Sequence, residues 1–335
     1  MNLRSWRLAA LFCLSFATLG AVPAAFGLTR EELFQAAVPL TDRSEAAQSS
    51  AFQNALKVVL VRVTGRRTAD ADPAFSPLLG NARRYVQQYR AAPDNQLWVA
   101  FDGAAIERWL TQNGEPLWGH ERPATFILLS EQTGPLAGTV VTAEDTSELK
   151  LAIDAAAALR GLPLIWPVAA DLAKYHLDYA AVNGMSVAGL SEMARAKGAD
   201  GALLGRAANA TQTASVRWTE LFQDHSSEFS GALEGVNHAA DTYAALFAAS
   251  GTLAPIDVEV SGVEDLKDYA DVQSYLESLT FVAHVGVQAL AGDVVTFRLN
   301  SRGGAEPLQH ALALNGKLQS LPAGDNGLQR FKLAR

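Results

Sequence analysis

The stretch from Ser147 to Leu221 constrains the fold more than any other part of this chain. Ser147 is placed to cap a helix whose apolar residues Leu149, Ile153, Ala156 and Ala157 share one face, and Gly161 to close it. Leu162, Leu164, Ile165 and Trp166 form a short apolar run, the mark of a strand covered on both sides. Ser186 opens a second helix through Met193 that stops at Gly198, and Ala202-Leu203-Leu204 reads as the next buried strand. Val216, Trp218 and Glu220 alternate with Arg217, Thr219 and Leu221 in a strand that crosses back. Helix, strand, helix, strand, strand in this order is α/β architecture.

A chain of 335 residues is too long for one ordinary core and predicts two or three domains. With 49% hydrophobic and 19% charged residues it is globular, not disordered. Its first 27 residues read as a signal peptide: Arg4 and Arg7 form a basic n-region, Leu8 to Leu19 an apolar h-region, and Ala21 to Gly27 a run of small residues. Cleavage after Ala24 or after Gly27 fits that pattern, and an uncleaved signal is the one route to a membrane. Cys13, inside the h-region, is the only cysteine, so the processed chain has no disulfide, no thiolate chemistry and no cysteine metal site. Residues 1–27 hold two arginines and no acid. Removing them leaves 25 basic and 35 acidic side chains, a net charge of −10. That balance speaks against nucleic acid and against a polybasic membrane contact.

Along the chain, Phe34, Ala36, Val38 and Leu40 alternate as a first strand, and Asp42 and Ser44 offer caps for a helix. Phe52, Ala55, Leu56, Val59, Leu60 and Val63 make this the clearest amphipathic helix in the sequence, closed at Gly65 with Arg62, Arg66 and Arg67 near its end. A second helix is expected from Leu78 to Gln88, with Arg83, Arg84, Tyr85, Tyr89 and Arg90 on its exposed face, then a strand through Leu97, Val99 and Phe101 and a helix at Ile106 to Leu110. Asn113 to Pro116 reads as a boundary, and Asp171 to Met185 as the longest irregular stretch. After a last helix at Val236–Phe247, the remaining residues predict β-α-β-β-α-β, the ferredoxin-like split βαβ layout, with a hairpin turn at Gly292-Asp293. The expected organisation is a mixed α/β and α+β chain of three small modules, at residues 28–120, 121–252 and 253–335.

Three groups of residues carry a resemblance. Val38-Pro39-Leu40 leads into Arg43-Ser44 and the run Val61-Arg62-Val63-Thr64-Gly65. Arg160-Gly161-Leu162-Pro163-Leu164 is followed by Gly198-Ala199-Asp200-Gly201-Ala202-Leu203-Leu204-Gly205-Arg206 and Trp218. Gly262-Val263, Asp268-Tyr269 and Tyr275-Leu276-Glu277-Ser278-Leu279 complete the set. In this order they resemble the exported proteobacterial domain-of-unknown-function family 2066. The resemblance implies an exported location and this layout, and it assigns no catalytic residue. More loosely, the central unit is similar to the N-terminal α/β domains of envelope proteins such as the Tol-system propeller protein and the outer-membrane activators of penicillin-binding proteins.

No phosphate-loop, His-Glu-x-x-His or Gly-x-Gly-x-x-Gly pattern is present. Ser186 stands in a stretch one residue too long for a nucleophile elbow and reads as a helix cap. Asp171, His176 and Asp178 fall in the loop after a strand, where carboxylates and imidazole could hold a metal or transfer protons, or simply serve as loop and cap polarity. Arg160 and Arg206 could form a small anion site, or bridge to Asp171 or Asp200. Trp218, on a sheet face, is either core or a stacking platform. The expectation is an exported, periplasmic, non-catalytic binding or assembly module with an envelope protein partner and no cofactor. A hydrolase or metal-dependent enzyme requires Asp171, His176 and Asp178 to converge. An anion binder requires Arg160 and Arg206 to face one cleft.

Overall fold

The computed structural model describes residues 29–334 apart from 212 and 325–327. The segment read as an export signal lies outside the described residues.

The first module lays one long helix on a small antiparallel sheet. A single turn, α1 (Arg30–Leu33), leads into β1 (Gln35–Pro39) and then α2 (Glu45–Thr64). Ser44, rather than Asp42, is the cap: its hydroxyl accepts the Ala47 amide at 3.1 Å, while Asp42 accepts the Ser44 amide at 2.7 Å. All six residues of the expected apolar face of α2 are buried against the sheet. The chain continues through α3 (Ser76–Gly80), β2 (Val86–Ala92), β3 (Gln96–Phe101) and α4 (Gly103–Gln112), and the strand order is β1-β3-β2. The helix expected over Leu78–Gln88 is therefore absent. Helix α3 stops at Gly80, a 3₁₀ turn spans Ala82–Tyr85, and β2 follows. As an edge strand, β2 is largely exposed on both faces, so it lacks the alternation that marks a half-buried strand. Tyr89 and Arg90 thus sit on a strand, with the Arg90 guanidinium 4.0 Å above the Trp98 ring.

The second module keeps the expected order of its main elements and adds a short strand and two short helices. It comprises β4 (Thr125–Gln132), β5 (Gly138–Val140), α5 (Glu148–Arg160), β6 (Leu164–Ile165), α6 (Ala169–Tyr175), α7 (Tyr179–Asn183), α8 (Val187–Ala196), β7 (Gly201–Ala207), β8 (Val216–Phe222), β9 (His225–Ser230) and α9 (Glu234–Phe247). Strands β6 and β7 flank β4 in parallel, β5 covers the far half of β4 on the β6 side, and β8 and β9 continue antiparallel from β7. Ile127, Leu129, Leu203 and Trp218 face α5 and α9, whereas Phe126, Leu128, Ala202 and Leu204 face α7 and α8. The stretch expected to be irregular, Asp171–Met185, holds most of α6 and all of α7. At one to two turns each, these helices are too short to display a period.

The third module comprises β10 (Ala254–Ser261), α10 (Leu266–Ser278), β11 (Val282–Ala291), β12 (Val294–Ser301), α11 (Ala305–Ala313), β13 (Leu318–Leu321) and β14 (Gln329–Leu333). The split βαβ is present, since β12 lies between β10 and β11 and runs antiparallel to both. There is one strand more than expected: β13 pairs with β14, which lies parallel to β10, and the sheet order is β11-β12-β10-β14-β13. Only Leu318 of β13 is buried, so this strand left no pattern to read. A continuous apolar core runs from the α5/α9 side of the second sheet to Phe331 in the third, with α9 contacting both α5 and α11.

Candidate functional site

The acid and histidine constellation does not assemble. Asp171 lies near the start of α6, where its carboxylate accepts the Val168 amide at 2.9 Å and is ion-paired with Lys197. Burial favours its protonated form, but the Lys197 hydrogen bond, the Val168 amide and the lysine charges prevail and hold its pKa below the ordinary carboxylate value. His176 ends α6 in a left-handed conformation with φ 53° and is exposed. Asp178 caps α7 by accepting the Ala181 amide at 2.7 Å. All three serve helix ends, and none points the others toward a common centre. Among the described residues, no group of three or more His, Cys, Asp or Glu side chains is placed to hold a metal ion. A group whose pKa is depressed by folding stabilises the fold above its unfolded value and loses that contribution as pH falls through the folded value. The Asp171–Lys197 pair should therefore fade below about pH 4. Comparing denaturation of wild type and Lys197→Met from pH 7 downward should show a difference that is full at pH 7 and shrinks progressively once the pH falls below about 4.

Arg160 and Arg206 lie on opposite sides of the central sheet. Arg160, 1% exposed at the end of α5, donates to the Gly65 carbonyl at 2.8 Å and to Asp241 of α9 at 2.6 Å. It is a structural bridge, with Asp241 as its acid in place of the expected Asp171 or Asp200. It also belongs to a larger feature. Three buried arginines, Arg62, Arg122 and Arg160, meet where the first and second modules join. Arg122 donates to the carbonyls of Gly119, Arg160, Gly161, Arg62 and Trp118 at 2.8–3.1 Å, with its guanidinium 3.8 Å from the Trp118 ring centre. Arg62 donates to Ala158, Glu32 and Gln35 carbonyls at 2.8–3.1 Å. Several of these acceptors belong to the last turns of α2 and α5, whose carbonyls have no partner within their own helix and carry the negative end of the helix dipole. Burial, then the Arg62 charge and, more weakly, Arg160, push the Arg122 pKa well below the ordinary arginine value.

Glycine at the two helix ends makes the junction possible. Gly65 (φ 71°) and Gly161 (φ 65°) both turn left-handed, and a Cβ on Gly161 would lie 2.6 Å from Arg62 Cγ and 2.8 Å from Arg122 Nη1. The sequence signalled both glycine caps. It did not signal Arg122, which stands in an irregular segment with no period.

Trp218 is core. It is 1% exposed, its Nε1 donates to the Gly231 carbonyl at 2.8 Å, and its ring lies over Gly205 and Gly235. Glu131, at the carboxyl end of β4, is a buried acid that carries no sequence signature. Burial raises its pKa, and it accepts a hydrogen bond from Ser147 at 2.9 Å, which ties the α5 cap to the sheet.

Among the described residues, two of the features open to a ligand stand out. The first is a cleft of about 540 Å³ beside Arg206 on the α7 side of the sheet. The second is the outer edge of the third sheet. Among the described residues β11 pairs only with β12; it runs for ten residues and contains no Asp, Glu, Lys, Arg or Pro. Val285, Val287 and Leu290 stand opposite Leu299, Phe297 and Val295, all three fully buried, so they belong to the helix-covered face. A bulge at Gln288 keeps Leu290 on that face. Yet Val287 is 50% and Leu290 70% exposed, because the helical layer does not extend over the outer half of β11.

A family model described as "Domain of unknown function (DUF8605)" matches residues 28–119, the stretch that contains α1–α4 and β1–β3. No curated protein and no solved structure matches the chain. The chain therefore carries, over residues 28–119, a domain similar to an uncharacterised family.

Proposed function

We propose that this protein is a non-catalytic binding or assembly module of the cell envelope, exported to the periplasm, and that it receives an extended apolar segment of a partner protein along β11. One observation carries the reading: a long uncharged edge strand beside an uncovered strip of core face. Unpaired edge N–H and C=O groups are a template for another strand, and proteins ordinarily blunt such edges with lysine, proline or a covering element. The two bulges in β11 bend it but leave its sequence free of charge. An added strand would satisfy the backbone, and its apolar side chains would continue the face that Val287 and Leu290 begin. The arginine junction and the shared core supply the stiffness that such a platform needs. The resemblance to family 2066 and the basic and apolar N-terminal residues support an exported location.

The test is a photo-crosslinking residue placed at Leu290 in cells producing the tagged full chain, with exposed Leu266 as control. One reproducible adduct is expected at Leu290 and none at Leu266. Val287→Lys should reduce it about tenfold, because binding would bury the added charge. An adduct only with a second copy of this chain, or none at all, would contradict the proposal.

A further inference from the structure

The carboxyl ends of β4 and β7 meet where the chain changes direction across its sheet. From β4 it passes through α5 to β6 on one side, then through α6, α7 and α8 to β7 on the other. Open α/β sheets collect ligands outside the carboxyl ends of strands at such a switch point. Arg206, near the end of β7, pairs in register with Ser130 of β4, whose hydroxyl lies 3.5 Å from Asn183 Oδ1. Beside them opens the cleft of about 540 Å³, lined by Asn183, Arg206, Arg217, Thr219, Glu228 and Ser230.

Arg206 and Arg217 stand directly opposite each other across β7 and β8. Like charges in that position repel. Among the described residues, neither arginine is ion-paired with a carboxylate. Arg206 gives its Nε to the Asn183 carbonyl at 3.1 Å and its Nη2 to the Met185 carbonyl at 3.4 Å, which fixes the guanidinium without a carboxylate. Among the described residues, the Arg217 side chain makes no hydrogen bond or ion pair. Glu228 is close enough to influence Arg206, yet among the described residues it forms no ion pair with either arginine. Elsewhere in the chain exposed arginines do find acids, as Arg298 does with Asp257 and Arg330 with Glu259.

We propose that this cleft binds a compact oxyanion, a carboxylate or a phosphate, between the Arg206 and Arg217 guanidinium groups, on a small molecule that presents a hydrogen-bond donor to Glu228. Guanidinium groups suit planar or tetrahedral oxyanions because they donate in a fixed fork. Thr219 and Ser230, which line the same cleft, supply hydroxyl donors for further oxyanion atoms. Glu228 excludes polyanions and gives the site polarity. The site shares no residue with β11 and stands or falls separately from the strand-addition reading.

The test is an NMR titration of the purified protein with inorganic phosphate and, separately, with N-acetylglycine. Either probe should shift the Arg206 Nε–H signal and the amides of Arg217 and Thr219. A response to phosphate alone identifies a phosphate-bearing ligand, and a response to the carboxylate alone identifies a carboxylate-bearing one. Arg217→Gln, at an exposed position, should weaken binding at least about tenfold, as the loss of a charge-assisted contact does. Glu228→Gln should tighten phosphate or carboxylate binding by about threefold, since it removes a nearby like charge in a partly solvated site. Silence with both probes, unchanged affinity in Arg217→Gln, or no gain in Glu228→Gln would overturn the proposal.

Discussion

Replacing Arg122 with methionine should lower the stability of the protein by about 3 kcal/mol and loosen the first module from the second. The change leaves buried carbonyls of Gly119, Arg160, Gly161, Arg62 and Trp118 without a donor, and each buried unsatisfied group costs about 1–3 kcal/mol. Relief of repulsion from Arg62 and Arg160 and of the cost of burying one guanidinium offsets part of that total. Arg122→Lys should rescue little, because three donors on a point charge cannot serve five acceptors arranged around a planar fork. Urea denaturation followed by tryptophan fluorescence and by circular dichroism provides the check. Wild type should unfold with coincident curves, and the methionine variant with an earlier midpoint and separated ones. A shift of only a few tenths of a kcal/mol, or full rescue by lysine, would mean that the guanidinium does not join the modules.

Trp218→Ala should cost about 3–5 kcal/mol, the range for deleting a buried aromatic side chain. The ring fills a space created by two glycines: a Cβ on Gly205 would come within 2.6 Å of Trp218 Cζ3, and one on Gly235 within 2.6 Å of Cδ2. It cannot be exchanged for a smaller residue without leaving that space empty. Trp218→Phe keeps most of the packing but leaves the Gly231 carbonyl short of its donor, so it should cost about 1–3 kcal/mol. Thermal unfolding of both variants would rank them. A near-neutral Trp218→Ala would place the ring at a surface and reopen the stacking role.

What the sequence made legible follows physical periodicity. Helices α2 and α5 run long enough for their apolar residues to recur and end in glycines that adopt positive φ, so their position and both caps could be read in advance. β3 alternates because one face is core and the other is not. The start of β2 reads as the end of a helix and β13 goes unread, because edge strands with so few buried residues have little to alternate. The helices at Ala169–Tyr175 and Tyr179–Asn183 were hidden by their shortness. For the sites the limit is different. Asp171, His176 and Asp178 are the polar residues that helix ends require, and their spacing does not distinguish a cap from a ligand. Arg206 was singled out with the wrong partner: Arg160 is nearer the glycine signal, whereas Arg217 reaches the same cleft through strand pairing, which depends on register. The arginine junction was illegible because Arg62, Arg122 and Arg160 are distant in sequence and their acceptors are backbone carbonyls.

If β11 receives a strand, hydrogen exchange measured on the protein before and after capture with its crosslinked partner should register the added pairing on that strand. Before capture, the outward amides of Val282–Ala291 should exchange rapidly while those of β12 and β10 are protected. Afterwards β11 should be protected to the level of its neighbours, with little change on β2, β9 or around Arg206. Protection that appears elsewhere while β11 still exchanges rapidly would rule out strand addition at β11.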